Sequence, residues 1–243
     1  MIGILGGMGH WATIDLMSKI IKAQAEFVSV EQDSIPLLVH ADPTVPDRRA
    51  ALIDGGSSPL PKLLMGVQNL EKAGAQILGI ACHTAHHWYD ELCQAVNIPI
   101  IHIADAVCTT SSLLGNERKQ LAIIATEATL RSGFYQEKLK SIGHTPVVLN
   151  SVDYYRLIEP SIAFAKAGQA HRATADMQKV FSILREQGAQ RVILACTELP
   201  LLVKEIEPSL PCIDPTEILA QKLVDTYTQI SAPTSFACAA RRG

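Results

Sequence analysis

The chain has 243 residues, 48% hydrophobic and 19% charged, with a formal net charge of −3. That is enough apolar material for a well-buried core, in one large domain or two small ones. With no basic stripe or Lys/Arg run, it gives no reason to expect a nucleic-acid partner, and the terminal Arg241-Arg242 pair is too short to count.

The opening Met1-Ile2-Gly3-Ile4-Leu5-Gly6-Gly7 has no basic n-region, so it reads as a first strand and turn rather than a signal peptide. No apolar run reaches the length of a membrane span. Both features lead to the expectation of a cytoplasmic protein that does not bind membranes.

In chain order, Ile2–Leu5 is the first strand. The glycine-rich turn Gly6-Gly7-Met8-Gly9 and a helix near 11–28 follow it. Strands are then expected at Ile35–Val39, Ile77–Ala81, Ile100–Ile103, Leu121–Ala125, Pro146–Leu149, Val192–Ala195 and Cys212–Ile213. The intervening helices fall near 60–73, 86–95, 131–141, 171–187 and 216–230. Such alternation predicts an α/β fold with parallel sheets. Gly74 and Gly188 sit where a helix must stop before the next strand.

The pattern is written twice. Gly74-Ala75-Gln76 precedes a strand that ends in Cys82-His83-Thr84, and Gly188-Ala189-Gln190 precedes one that ends in Cys196-Thr197-Glu198. Asn97-Ile98-Pro99-Ile100 and Ser209-Leu210-Pro211-Cys212 each lead into a further short strand. Two similar Rossmann-like parallel-sheet domains, 1–104 plus 209–243 and 105–208, would each carry a cysteine at the tip of the third strand. Ligands of parallel sheets bind beyond such tips, so a cleft between the domains would receive both thiols.

The six cysteines form no C-x-x-C pair, and their spacing suits neither a zinc ribbon nor a disulfide scaffold. Cys93, Cys108, Cys212 and Cys238 are read as small buried hydrophobes. Cys82 and Cys196 are the exceptions, because a thiolate and a thiol on opposite faces of a carbon can remove and return its proton with inversion. Helix N-termini and strand-tip N–H groups would raise the thiolate fraction. Without a pyridoxal electron sink, the carbanion needs donors around the adjacent carboxylate. The loop Gly6–Gly9, Arg48 and Lys166 are the candidates, while Thr84 and Thr197 serve equally as helix caps or substrate ligands.

The segments GILGGMGHWA (3–12), PDR (46–48), ACHTAH (81–86), ATEAT (125–129), KAG (166–168) and ACTELP (195–200) together resemble the aspartate/glutamate racemase family. The resemblance spans nearly the whole chain. It implies a pseudo-two-fold pair of α/β domains with the active site between them, usually in a homodimer. The implied activity is cofactor-independent racemisation of an acidic amino acid, L-aspartate to D-aspartate, with no metal. Cys82 and Cys196 would be the acid/base pair, Cys196 facing the α-proton of the L-enantiomer. Substrate-binding roles fall on Met8, Arg48, His83, Thr84, Thr126, Lys166, Thr197 and Glu198. The helix after each half's last strand would cross to the other half, sending 105–114 to the second domain and 216–230 back to the first. The chain departs from the family pattern at His83, where asparagine is usual, at His10, where proline is usual, and at Thr126-Glu127-Ala128-Thr129, which replaces T-x-G-T.

Alternatives share parts of this pattern. Gly7-Met8-Gly9-His10-Trp11-Ala12 fits a dinucleotide loop, but no acidic residue ends the second strand at the required distance. Cys82, His83, His86 and His87 would need further ligands to hold zinc. A decarboxylase or maleate-type isomerase of the same fold, or racemisation of glutamate or another amino acid, keeps the architecture and changes the chemistry.

Overall fold

Eight strands form two parallel four-stranded sheets of one design. The computed structural model describes residues 1–25, 27–110 and 117–231. In the first sheet β1 (Ile2–Gly6), β2 (Leu37–Ala41), β3 (Ile77–Ile80) and β4 (Ile100–Ile101) lie in the order β2-β1-β3-β4. In the second, β5 (Gln120–Ala125), β6 (Thr145–Val147), β7 (Arg191–Ala195) and β8 (Cys212–Ile213) lie in the order β6-β5-β7-β8. Registers correspond as well: Leu5 pairs with Ile80 at the end of β3, and Ala125 pairs with Ala195 at the end of β7. The expected fold is therefore present, with every strand within two residues of its predicted limits.

Both faces of each sheet are covered, as near-continuous runs of Ile, Leu and Val require. Leu5, Leu78 and Ile80 pack with Leu63, Val67 and Leu70 of α3 (Leu60–Lys72). On the opposite face Ile2, Ile4 and Ile77 meet Leu16 and Ile20 of α1 (His10–Ala23). In the second half Ala122, Val192 and Leu194 pack with Met177, Val180 and Phe181.

Each half lends its last helix to the other. Ala104 and Val107 of α5 (Ile103–Cys108) are buried against Leu121, Ile123, Tyr135 and Ile193 of the second half. Leu219, Ala220, Leu223 and Val224 of the long C-terminal helix Pro215–Ser231 are buried against Ile2, Ile4 and Ile77 of the first. Each large side chain so buried stabilises the fold by about 2 kcal/mol. Positions 111–114 of the expected crossing helix lie outside the described residues, as do Cys238, Arg241 and Arg242. The return crossing differs from expectation: Cys212 pairs with Val192, so the second sheet extends to Ile213 and the chain leaves it there, not near Ser209.

Several helices were not expected, each for a local reason. Asp47 caps α2 (Arg48–Ile53), its carboxylate accepting from Ala50 N at 2.7 Å. The helix expected at 131–141 starts at Glu127, where the Thr126 hydroxyl caps it. It is divided by Gly133 (φ 74°) into α6 (Glu127–Ser132) and α7 (Phe134–Ser141). A helical turn at Ser151–Asp153, a π-helical turn at Tyr154–Ile158 and α8 (Glu159–Lys166) form one continuous segment. Pro160 in its middle masks it from sequence reading, although Pro is tolerated in a first turn. Gly74 and Gly188 take left-handed φ of 98° and 84°, which supports the repeated helix stop.

Candidate active site

In a parallel sheet ordered 2-1-3-4, the chain leaves β1 towards opposite sides, and a crevice opens at the strands' carboxyl ends between β1 and β3. Met8 follows β1 and Cys82 follows β3; Thr126 follows β5 and Cys196 follows β7. The two crevices share one cleft, lined by Met8, Arg48, Cys82, His83, Thr84, Thr126, Lys166, Cys196, Thr197 and Glu198, which are all ten of the expected residues. The cleft is closed: its free volume is about 20 Å³, room for roughly one water.

On the second half's side, Cys196 is buried and its thiol donates to Glu198 Oε2 at 3.1 Å. The Thr197 hydroxyl donates to the same oxygen, also at 3.1 Å. Burial pushes the Cys196 thiol well above the ordinary range, and the Glu198 carboxylate pushes it further, against the opposing pull of Lys166. Glu198 Oε1 is buried without a partner. It lies at the N-terminal end of α1, since a Cβ on Gly9 would sit only 3.3 Å from it. That positive helix end favours a carboxylate there.

On the first half's side, Cys82 is 6% exposed and its carbonyl accepts from His86 Nδ1 at 2.9 Å. His86 Nε2 accepts in turn from Ile103 N–H at 3.2 Å, which fixes the proton on Nδ1. With both nitrogens engaged, His86 braces the strand tip and has no lone pair for a metal. His87 is exposed, so the local Cys/His cluster does not converge. Among the described residues no three His, Cys, Asp or Glu side chains are grouped to hold a metal ion. His83 Nε2 lies 3.1 Å from the Tyr135 hydroxyl of the second half, and its Nδ1 is buried without a partner. The hydroxyls of Thr84, Thr126 and Thr129 form a triangle across the halves, with Thr84 2.9 Å from Thr126 and 3.1 Å from Thr129.

Three cations, Arg48, Arg49 and Lys166, line the cleft, and of these only Arg49 forms salt bridges among the described residues. Arg48 donates from Nη2 to Met8 O at 2.8 Å and from Nη1 to Pro46 O at 3.2 Å; it pairs with no carboxylate among the described residues. Lys166, at the exposed end of α8, also makes no ion pair among them. Arg49 behaves differently: it spans the halves, reaching Glu127 at 3.3 Å and Glu159 at 3.4 Å, and also pairs with Asp54 at 2.8 Å. Neither Arg49 nor Asp47 was anticipated, although both line the cleft. Only their proximity to Arg48 in sequence pointed to them. Thr129 lies in the Thr126–Thr129 motif but was given no role, and Tyr135 gave no sequence signal.

Paired parallel sheets with swapped helices and thiols at both crevices match a known two-domain class, that of the amino-acid racemases. The solved aspartate racemase of Picrophilus torridus superposes with a TM-score of 0.81 at 28% identity, covering 93% of each chain. An aspartate racemase homologue from Pyrococcus horikoshii gives 0.73 at 25% identity, over 93% of this chain and 98% of that one. The broad specificity amino-acid racemase RacX of Bacillus subtilis is 28% identical over 93% of this chain and 98% of its own length. Residues 5–223 match the Asp/Glu/Hydantoin racemase family, and the chain belongs to it, as an amino-acid racemase.

Proposed function

We propose that the protein interconverts L- and D-aspartate by a two-cysteine acid/base mechanism that uses neither pyridoxal phosphate nor a metal. One observation carries this reading: two buried thiols, one from each sheet's crevice, line a single cleft together with Arg48 and Lys166, neither of which forms a salt bridge among the described residues. A substrate with two carboxylates supplies those missing anions. Arg48 and Lys166 are assigned to them, and Glu198 Oε1 accepts from the substrate ammonium. Met8, Thr84, Thr126 and Thr197 complete the enclosure.

For one enantiomer, the Cys82 thiolate removes the α-proton while the Cys196 thiol delivers its proton to the opposite face. The products are the inverted amino acid, a Cys82 thiol and a Cys196 thiolate. For the other enantiomer, assigned to the L-form, the roles reverse, with Cys196 removing the proton. Glu198, hydrogen-bonded to the Cys196 sulfur, is the local acceptor through which that proton can be lost and regained. Charge that develops on the α-carboxylate during transfer is stabilised by the cations in a dry cleft.

The names of the relatives support the amino-acid class, and the fit to two carboxylates supports an acidic member of it. The division at 1–104 and 105–208, with the C-terminal residues returning to the first half, is retained as the working description. The crossing point is adjusted to follow Ile213. A cytoplasmic location is consistent with the lack of any described helix long and apolar enough to cross a membrane. Homodimer formation is assigned to α1, where Trp11, Ile14, Met17 and Ile21 are 38% to 57% exposed along one face. Light scattering of an Ile14→Glu variant tests it, monomer being the expected result.

The deciding experiment is decay of the optical rotation of L-aspartate, without pyridoxal phosphate and with EDTA present. Decay to zero is expected. An unchanged rotation with L-aspartate, while L-glutamate or a neutral amino acid loses its rotation, overturns the substrate assignment. Release of carbon dioxide, or conversion of maleate, overturns racemisation itself.

A further inference from the structure

His83 and Tyr135 form a pair that the acid/base reading leaves unused. The two residues come from opposite halves, His83 from the tip of the first sheet and Tyr135 from α7 of the second. Tyr135 is fully buried, and its hydroxyl has one hydrogen-bond partner among the described residues, His83 Nε2 at 3.1 Å. His83 is 2% exposed, lines the cleft beside Cys82, and has a buried Nδ1 with no partner among the described residues.

The tautomer follows from satisfying these groups. If Nε2 carried the proton and donated to Tyr135, the tyrosine O–H would be a buried donor with nothing to receive it. A buried donor left without an acceptor is destabilising and rare in folded proteins. If Tyr135 donates to Nε2, the hydroxyl is satisfied and the imidazole proton must sit on Nδ1. One donor then remains unused, and it belongs to a residue of the cleft wall.

We propose that Tyr135 is a positioning residue that locks His83 as the Nδ1–H tautomer, so that a neutral imidazole presents an N–H donor to a carboxylate oxygen of the substrate. This rests on the racemase reading for the identity of the ligand, but not for the tautomer. Burial, reinforced by His86, His102 and Lys19, holds His83 well below its ordinary pKa, which keeps the imidazole uncharged. Burial also holds the Tyr135 hydroxyl in its protonated, donating form. A neutral donor avoids adding a further cation to a cleft that already holds Arg48, Arg49 and Lys166.

The test uses the full chain. In protein labelled with ¹⁵N-histidine, the unliganded His83 ring at neutral pH is expected to show a protonated Nδ1 and a bare Nε2. In Tyr135→Phe that pattern is expected to be lost. Steady-state racemisation gives a second readout, as a double-mutant cycle. Tyr135→Phe should lower kcat/KM roughly tenfold in the His83 chain. In a His83→Asn background, whatever that substitution itself costs, Tyr135→Phe should cost about twofold or less, because the asparagine amide has no tautomer to lock. A protonated Nε2 in the free protein, or equal losses in the two backgrounds, overturns the proposal. If the unmodified chain racemises no acidic amino acid, the functional reading fails, yet the spectrum of the free protein still decides the tautomer.

Discussion

The two strand tips at the cleft are built to one plan and finished differently. Beyond β3 the cysteine is followed by His83, a neutral ring held by a tyrosine of the other half. Beyond β7 the cysteine is followed, one residue later, by Glu198, whose carboxylate receives the thiol's own hydrogen bond. Duplicated backbones have supplied two equivalent positions for sulfur, while burial and the Glu198 carboxylate raise the proton affinity of Cys196. A racemase that handles mirror-image substrates thus uses a protein environment that is not itself symmetric. The equilibrium constant is unaffected, since a catalyst lowers the same barrier for both directions.

Removing either thiol breaks the comparison outright. Cys82→Ala and Cys196→Ala should each lower racemisation by about 10³-fold or more, because each face needs its own proton carrier. A single mutant that racemised at the unmodified rate would refute the two-thiol mechanism, and chiral chromatography would reveal it. Next in size are the cations that serve both faces alike. Lys166→Ala and Arg48→Ala should each raise KM for aspartate by roughly tenfold or more, with a smaller change in kcat, as expected for lost binding of a charged group. A fall in kcat at constant KM would move them into the chemical step.

Glu198→Gln sharpens the asymmetry without removing sulfur. The carboxylate raises the Cys196 pKa, so neutralising it lowers that pKa and enlarges the thiolate fraction at a given pH. Alkylation of Cys196 by iodoacetamide near pH 8 should accelerate, by up to about tenfold, read peptide by peptide in a mass spectrometer. Unchanged or slower labelling would show that Glu198 does not govern the sulfur.

The smallest effect concerns stability and the first half alone. Burial lowers His86 to about 3 and His102 to about 4, against an ordinary value of 6.5. Below pH 6.5 the unfolded chain takes up these protons and the folded chain does not, so stability is lost as the pH falls towards 4. Each histidine steepens that loss by about 1.4 kcal/mol per pH unit. Urea midpoints measured between neutral pH and pH 5 should decline, and a flat profile would mean that these rings protonate without unfolding.

Much of this was legible in the chain. Period and punctuation marked all eight strands, because parallel strands buried on both faces carry unbroken Ile, Leu and Val. The matched Gly-Ala-Gln segments aligned Cys82 with Cys196 before any coordinates. What escaped depends on contacts made across the cleft. Nothing near Arg49 in sequence announces Glu127 and Glu159, and nothing near His83 announces Tyr135. Local chemistry also hid some helices: Pro160 obscured the segment that carries Lys166 to the cleft, and Gly133 divided a helix that apolar spacing suggested was single. The return crossing was placed ahead of Cys212–Ile213, although that segment read as a strand, because nothing local shows which sheet a two-residue strand joins.

The exchanged helices have a consequence for the order in which the protein can be made. The face of the first sheet formed by Ile2, Ile4 and Ile77 is covered by Leu219, Leu223 and Val224, near the far end of the chain. While a ribosome is still translating the second half, that face has only α1 to shield it and is open to unwanted association. The newborn first half is therefore fully wrapped only once residues 219–224 have been translated.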